Sequence, residues 1–428
     1  MDKVRLGFIG VGNRGTQLLE YSMANPKAEI VALCDVYVPY VERDRSKVDP
    51  AFLANRKVPA LTESFSGTVD RYTDFRDMLD RPDIDAVVIG TPDHWHAVQT
   101  IMALRAGKDV FVEKPLTSTI YEGRRMVEVE AETGRVAGVC LNRRGSSIYR
   151  ELAQRGADSI VGKVVNAYAS HTSNMYPDGI GRAEAQEPPA GFDWDLWLGP
   201  RPYRPYTKSI APYNFRWQNE FSSQMGNWGV HYMDVIRWLT GERAPISVTA
   251  VGGTYAVDDD RNIPDTMTVL FEFASGRVFE FQINEASAGY KIPGGEIELR
   301  GTKGTLRVDQ NGYQAVPTKA GQFQDWDALI EPEEKHIESG DSFGDLGIKE
   351  NSTAILIDNF LDAVADSSVK PYCSLEEAHR STSFAHLANI ALATGERLRW
   401  DAENERFTNS DAANDMLHYE YRPPWSLE

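Results

Sequence analysis

The first fifteen residues constrain this chain most. Val4 to Ile9 is a short apolar run suited to a buried parallel strand. It feeds directly into Gly10-Val-Gly12-Asn13-Arg14-Gly15, then into an apolar-periodic stretch through Leu18, Leu19 and Met23. Strand, glycine turn and helix in that order make a dinucleotide-binding turn. The glycines permit a tight turn and a close backbone approach to a pyrophosphate seated on the helix N-terminus, with Asn13 and Arg14 beside it. A second strand, Ile30 to Cys34, ends in Asp35, twenty residues past Gly15. A carboxylate there accepts hydrogen bonds from ribose hydroxyls and repels a 2′-phosphate, so NAD is expected in preference to NADP. Arg43 and Arg45 follow nearby and would soften that preference.

The alternation continues for about 145 residues. Phe75 to Leu79 reads as a helix and Ala86 to Ile89 as a strand ending at Gly90-Thr91-Pro92-Asp93-His94-Trp95-His96. A helix runs through Ala106, and a strand over Val110 to Val112 ends at Glu113-Lys114-Pro115. A helix over Ser118 to Thr133 and a strand near Val136 to Leu141 complete the series. This is the pattern of a doubly wound parallel sheet, whose ligands bind at the carboxyl ends of the strands. Thr91, Pro92, His94, His96, Glu113 and Lys114 all lie at such ends and are candidate cofactor contacts. Each histidine serves equally well as a helix N-terminal or packing group.

The glycine fingerprint, the Thr91-Pro92-Asp93-His94-Trp95-His96 run and Glu113-Lys114-Pro115 together resemble the Gfo/Idh/MocA family along the whole chain. The resemblance implies an NAD(P)-dependent oxidoreductase of sugars, inositols or glycosides. It places Lys114 beside the nicotinamide, bonded to the reacting oxygen, where an ammonium stabilises a developing alkoxide.

Beyond about residue 145 the pattern changes, which sets the expected division at 1–145 and 146–428. Ser147 to Arg155 reads as a helix and Val164 to Ser170 as a strand. Residues 172–220 are irregular and rich in Pro, Gly, Tyr and Trp. Met267 to Phe273 and Arg277 to Ile283 alternate about a turn, as do the two halves of Glu296 to Val308. Such hairpins build an antiparallel sheet with one covered face. The expected fold is therefore α/β: a Rossmann doubly wound sheet followed by an α+β domain with a large, mostly antiparallel, open-faced sheet. The family's second domain has such a sheet and often uses it for oligomer contacts, so the resemblance implies a dimer or tetramer.

The segment Gln224 to Leu239 supplies the second catalytic candidate. Asn227, His231, Asp234 and Trp238 recur at i, i+4, i+7 and i+11 and share a face if the segment is helical. It resembles the family's helix carrying an Asp-x-x-x-His pair. His231 aligns with the catalytic histidine, and an ordinary pKa of ~6.5 suits proton transfer. Asn227 stands where many members have Asp. Trp194, Trp197, Trp217, Trp228 and Trp238 are five of the nine tryptophans. Such rings pack on sugar faces or in cores. Trp197 lies in a stretch the family places near its substrate cleft. His171, at a strand end, and Arg144, in Asn142-Arg143-Arg144 after the last Rossmann strand, are the further substrate candidates. Two activities stay open: oxidation of a secondary hydroxyl, and a redox-neutral glycosidase that needs an extra base such as His171, Tyr176 or Tyr213. A catalytically silent sugar sensor is the third reading, and retention of Lys114 and His231 argues against it.

Composition excludes several classes. Lys and Arg number 45 against 63 Asp and Glu, a net charge of −18, which is wrong for binding nucleic acid. No apolar stretch approaches the ~20 residues needed to cross a bilayer. The charged start Met-Asp-Lys lacks a signal-peptide pattern, so a cytoplasmic location is expected. Three dispersed cysteines, Cys34, Cys140 and Cys373, imply reduced thiols and neither a disulfide framework nor a metal site. Asp325 to Asp345, with eight acidic residues and one lysine, reads as a solvated loop. Helices over Asn351–Ala363 and Leu375–Ala393 are expected to return to the Rossmann sheet, and residues 401–428 to form an extended tail.

Overall fold

A computed structural model describes residues 3–50, 65, 67–288, 296–337 and 350–428. The apolar run at the N-terminus forms β1 (Val4–Ile9), flanked by β2 (Ala28–Cys34) and β4 (Ala86–Ile89). With β3 (Asp70–Tyr72), β5 (Asp109–Glu113) and β6 (Ala137–Cys140) they make an all-parallel sheet in the order β3-β2-β1-β4-β5-β6. Between β1 and β4 the winding reverses, and there the strand ends open a crevice. Helices Asn13–Met23, His96–Arg105 and Ile120–Thr133 connect the strands. The last of these starts two residues later than the periodicity suggests. Thr119 caps it, accepting from the Glu122 amide while Glu122 accepts from the Thr119 amide.

The second sheet has ten strands. β7 (Val164–Thr172) is followed by β8 (Ser247–Gly253), β9 (Thr266–Glu272) and β10 (Val278–Asn284). Next come β11 (Ile297–Gly301), β12 (Gly304–Asp309), β13 (Gly312–Pro317), β14 (Glu333–His336), β15 (Leu398–Asp401) and β16 (Arg406–Phe407). The order is β14-β13-β12-β11-β7-β10-β9-β8-β15-β16, and only β7 and β10 run parallel. Phe271, Phe279, Phe281 and Ile283 point to the covered face. Helices Ser147–Arg155, Val230–Thr240 and Leu375–Thr394 pack there. Val165, Val251 and Leu270 are exposed.

The two returning helices join the halves. Helix Ser352–Ala365 buries Leu356, Ile357 and Phe360 with Phe8 and Phe111 of the first sheet. Helix Leu375–Thr394 contributes Leu375 and Ala378 to the first domain's core and Phe384 and Leu387 to the second's.

The segment 172–220 is irregular as expected, with no buried residue over 172–191 and packed positions from Phe192 onward. Phe192 bridges to Tyr37, the Val38 amide donates to the Gly191 carbonyl and the Asp193 amide to the Val36 carbonyl. A ribbon of the second domain is thereby fastened across the end of β2. Two expectations change. The acidic stretch contains the edge strand β14, where Glu333 pairs with Arg155. Its residues 338–345 lie outside the described residues. The last residues carry a short helix, Asp411–Asn414, and fold onto the body. The Trp425 ring meets Trp95 edge-on at 4.7 Å, and the Arg422 amide donates to the Pro200 carbonyl. Among the described residues no helix is long and apolar enough to cross a membrane.

Candidate active site

A cleft of about 1000 Å³ opens at the carboxyl ends of β1, β2 and β4. Gly10, Gly12, Asn13, Arg14, Asp35, Thr91 and Pro92 line one side, and Trp197, Tyr213 and Arg216 of the ribbon line the other. The glycines are required here by geometry. Gly10 has φ +81°, and a Cβ on it would lie 2.8 Å from the Thr91 nitrogen. A Cβ on Gly15 would lie 1.8 Å from the Gly10 carbonyl oxygen. The turn thus leaves backbone, not side chain, facing the cleft, as a pyrophosphate needs. Asp35 accepts from the Val11 and Tyr37 amides at 2.8 and 2.9 Å, and still faces the cleft. Burial pushes its carboxyl up to about 6, against those two amide bonds. These residues fit NAD.

Arg43 is not available to a 2′-phosphate. It is buried, and it donates to the Val11 carbonyl at 2.9 Å and to Thr16 Oγ1 at 3.1 Å.

At the end of β5, beside the cleft residues Arg14 and Arg216 but not itself lining the cleft, Lys114 Nζ donates to the backbone oxygen and to Oδ1 of Asn227, both at 2.9 Å. The Met-Gly-Asn-Trp-Gly sequence explains how that carbonyl becomes available. Two glycines in five residues weaken an α-helix, and Met225–Gly229 is a π-turn leading into helix Val230–Thr240. Such turns displace carbonyls from the helical ladder and recur at functional sites. Gly226 lets the turn approach Pro115; a Cβ there would lie 3.3 Å from the proline ring. Burial pushes the Lys114 ammonium down to about 8, with Glu113 opposing.

One helical turn on is His231, 7% exposed, whose Nδ1 is buried without a hydrogen-bond partner. Burial first, then Arg143, Lys114 and Arg14, hold its pKa well below the ordinary 6.5. The nearly unshifted imidazole expected from the sequence is therefore corrected to one that stays neutral. Three residues before it is Trp228, its ring stacked on His171 at 4.7 Å and 12°. His171 Nε2 lies 3.7 Å from Glu285, too long for a hydrogen bond.

Other candidates sit elsewhere. His94 does not line the cleft: Nε2 bonds the Trp197 carbonyl, and burial drives its pKa down to about 3. His96 is a clamp, its two ring nitrogens on the Pro115 and Thr91 carbonyls at 2.7 and 2.9 Å. It ties the two strand-end loops together without facing the cleft. Glu113 accepts from Arg14 Nε at 2.7 Å. Burial pushes its carboxyl up, but Arg14 and Lys114 outweigh that and hold it below the usual range. Trp197 has one ring face stacked on Trp194 at 4.8 Å and 15° and, unlike the two histidines, lines the cleft. Tyr213 lines the cleft, whereas Tyr176 is exposed.

Arg144 is the clearest departure. It forms a buried fork with Asp234, Nε to Oδ2 at 2.9 Å and Nη2 to Oδ1 at 2.7 Å, and also reaches Glu377. Its neighbour Arg143 takes different partners, lying 5.1 Å over Tyr232 and paired with Glu296. On a tight turn adjacent side chains diverge, so one residue of error changes the role. Glu285, Gln224 and Arg261, which stand behind His171 and Asn227, carry no sequence signal. Their contacts join positions 24 to 61 residues apart.

Three family descriptions match this chain. "Oxidoreductase family, NAD-binding Rossmann fold" covers residues 4–141, the Gfo/Idh/MocA C-terminal domain residues 197–307, and the oxidoreductase C-terminal alpha/beta domain residues 352–427. The chain belongs to the Gfo/Idh/MocA family. Residues 4–141 carry the NAD-binding Rossmann fold of an oxidoreductase family. Among curated relatives, a glycosyl hydrolase family 109 protein of Shewanella baltica is 38% identical over 133 residues. That match spans 31% of this chain and only 27% of the relative. Among solved structures, the oxidoreductase fold is shared with a levoglucosan dehydrogenase holding NADH and levoglucosan (TM-score 0.63, 18% identity, 93% of this chain and 99% of that one). It is also shared with the WlbA dehydrogenase of Chromobacterium violaceum, holding NADH and UDP-GlcNAcA (TM-score 0.65, 19% identity, 94% and 97%).

Proposed function

We propose that this oxidoreductase moves a hydride between NAD and a secondary hydroxyl of a sugar, glycoside or cyclitol, with Lys114 and His231 as the catalytic pair. The observation that carries this reading is the donor count at Lys114. An ammonium has three N–H donors. Two are held by Asn227, which leaves one for an oxygen at the cleft.

Gly10, Gly12 and Asn13 would hold the pyrophosphate and Asp35 the adenine-side ribose. The bound nicotinamide supplies the hydride acceptor or donor. The chain's residues manage the proton. His231, neutral at working pH, takes the hydroxyl proton at Nε2 as the carbinol is oxidised. Lys114 Nζ donates to the same oxygen and stabilises the negative charge that develops on it. Trp197, Tyr213 and Arg216 line the cleft opposite the glycine turn. The aromatic wall of Trp228 and His171 suits the C–H face of a sugar ring.

A second reading, the redox-neutral glycosidase, is favoured by His171. It places a second titratable group beside His231 through the shared Trp228 ring, and the match to the glycosyl hydrolase family 109 relative supports it. The deciding experiment is to incubate the NAD-loaded protein with free sugars and nitrophenyl glycosides while recording NADH and nitrophenolate separately. NADH growth is the expected result. Nitrophenolate without net NADH moves the assignment to the glycosidase, and neither product refutes both. The exposed sheet face also suits a dimer or tetramer, to be read as mass by light scattering.

A further inference from the structure

Lys114 is not held by Asn227 alone. Behind Asn227 runs an unbroken line of hydrogen bonds to a buried cluster at Glu285 and Arg261. Asn227 Nδ2 donates to Gln224 Oε1 at 3.2 Å, and Gln224 Nε2 donates to Glu285 Oε1 at 2.7 Å. Glu285 Oε2 accepts from Trp217 Nε1 and from Arg261 Nη1, each at 2.9 Å. Arg261 is also held by Asp259, Nε to Oδ1 at 2.9 Å. Gln224, Glu285 and Arg261 are all buried, so water is not at hand to replace a lost partner.

The two ends of this line have opposite chemistry. An ionised Glu285 only accepts, and an ammonium only donates. Gln224 and Asn227 are amides whose oxygen and nitrogen ends can exchange places. Glu285 compels Gln224 to present its nitrogen, which turns Gln224 Oε1 toward Asn227. That in turn compels Asn227 to present Nδ2 to Gln224 and Oδ1 to Lys114. We infer that Glu285 is a positioning residue for the catalytic ammonium: through Gln224 it fixes the amide of Asn227 with its oxygen toward Lys114 Nζ. The idea rests on the catalytic reading of Lys114 and adds a residue 171 positions away in sequence.

Without Glu285 the line loses its direction. A glutamine at 285 can donate to Gln224 Oε1, both amides can turn over, and Asn227 Nδ2 then faces Lys114. Two donors facing each other disfavour the ammonium. The charged groups around the two ends are few. Glu285 faces Arg261 and His171. Lys114 faces Glu113, Asp93, Arg14, Arg216 and His231. Arg261 keeps Asp259 when Glu285 is neutralised, so its charge stays compensated.

The test uses Glu285→Gln, Asn227→Asp and the double variant of the full-length protein. Lys114 titration is read by trace labelling with acetic anhydride across pH and peptide mass spectrometry, which needs no turnover. Losing one charge-assisted hydrogen bond corresponds to about one pH unit and about tenfold in rate. Glu285→Gln is therefore expected to lower the Lys114 midpoint by about one unit and kcat by about tenfold, with NAD affinity unchanged. A carboxylate at 227 accepts from Lys114 whichever way Gln224 points. In the Asn227→Asp background, Glu285→Gln is thus expected to change neither the midpoint nor kcat. If Glu285 merely props the core, Glu285→Gln leaves the midpoint in place, or Asn227→Asp restores nothing; either result overturns the inference. A shifted midpoint in a protein that oxidises none of the sugars upholds the positioning role and refutes the proposed activity. Turnover with an unmoved midpoint does the reverse.

Discussion

The stretch from Gln224 to Thr240 holds two cations at anchors seven residues apart, Asn227 and Asp234, and treats them differently. At its start Lys114 rests on Asn227, a neutral amide and a carbonyl. Further along, Arg144 rests on Asp234, a carboxylate 1% exposed. At Arg144 burial alone would lower the pKa, but Asp234 outweighs it and raises it. At Lys114 burial wins and the ammonium is brought down to about 8. The bidentate Arg144–Asp234 pair compensates its charges internally, and Glu377 and Ser381 take up further bonds to it. An ammonium held by an amide keeps a donor and an unspent charge. The first arrangement fixes the fold and the second is fit for chemistry.

Alanine at each cation gives the largest contrast. Lys114→Ala is expected to cut turnover by ~10²–10⁴ while calorimetry finds NAD binding nearly unchanged, since the glycine turn and Asp35 are untouched. Arg144→Ala leaves Asp234 buried without its main partner and is expected to cost about 3–5 kcal/mol in urea unfolding. Reversed outcomes, an unstable Lys114 variant and a stable but inactive Arg144 variant, would exchange the two roles.

The pH profile sharpens the comparison. His231 must be unprotonated to accept a proton, and its pKa lies well below 6.5. The acid limb of the oxidation rate is therefore expected well under pH 6.5. Lys114 must be protonated, so the rate falls as pH rises through about 8. Asn227→Asp makes the Lys114 environment more like that of Arg144 and is expected to move this alkaline limb upward. Stopped-flow rates across pH with saturating NAD check both limbs, and an unmoved limb in Asn227→Asp would detach it from Lys114.

The smallest effect concerns cofactor choice. Asp35 faces the cleft and Arg43 is engaged with Val11 and Thr16, so NADP is expected to bind about tenfold or more weakly than NAD. Asp35→Ala should narrow that ratio at some cost to NAD. Equal affinity for the two dinucleotides in the native chain contradicts the assignment.

How far the sequence disclosed these features depends on the range of the interactions involved. The parallel strands, the glycine turn and the returning helices are written in local periodicity, and a strand end singles out Lys114 as a candidate. His94 and His96 lie at the same kind of strand end, yet they bond backbone carbonyls of Trp197, Pro115 and Thr91. Position in the chain does not distinguish a cleft-facing histidine from a clamp. Arg143 and Arg144 are adjacent, and only their distant partners, Glu296 and Asp234, separate their roles. Glu285 sits just past the alternating strand β10, where its burial among Arg261, Trp217 and Gln224 leaves no trace in the local pattern.

The ribbon fastened across β2 bears on how such a chain can be cut and recombined. Trp197, Tyr213 and Arg216 supply one wall of the nucleotide cleft, although they belong to the half of the chain expected to serve substrate. Trp425, from the far end, packs on Trp95 at the back of the same cleft. A fragment ending near residue 145 would therefore carry the glycine turn but lose that wall and uncover Tyr37, Tyr40 and Trp95. A chimaera that exchanges second domains would exchange part of the dinucleotide site with them. In this molecule, one wall of the cleft is inherited with the second half of the chain.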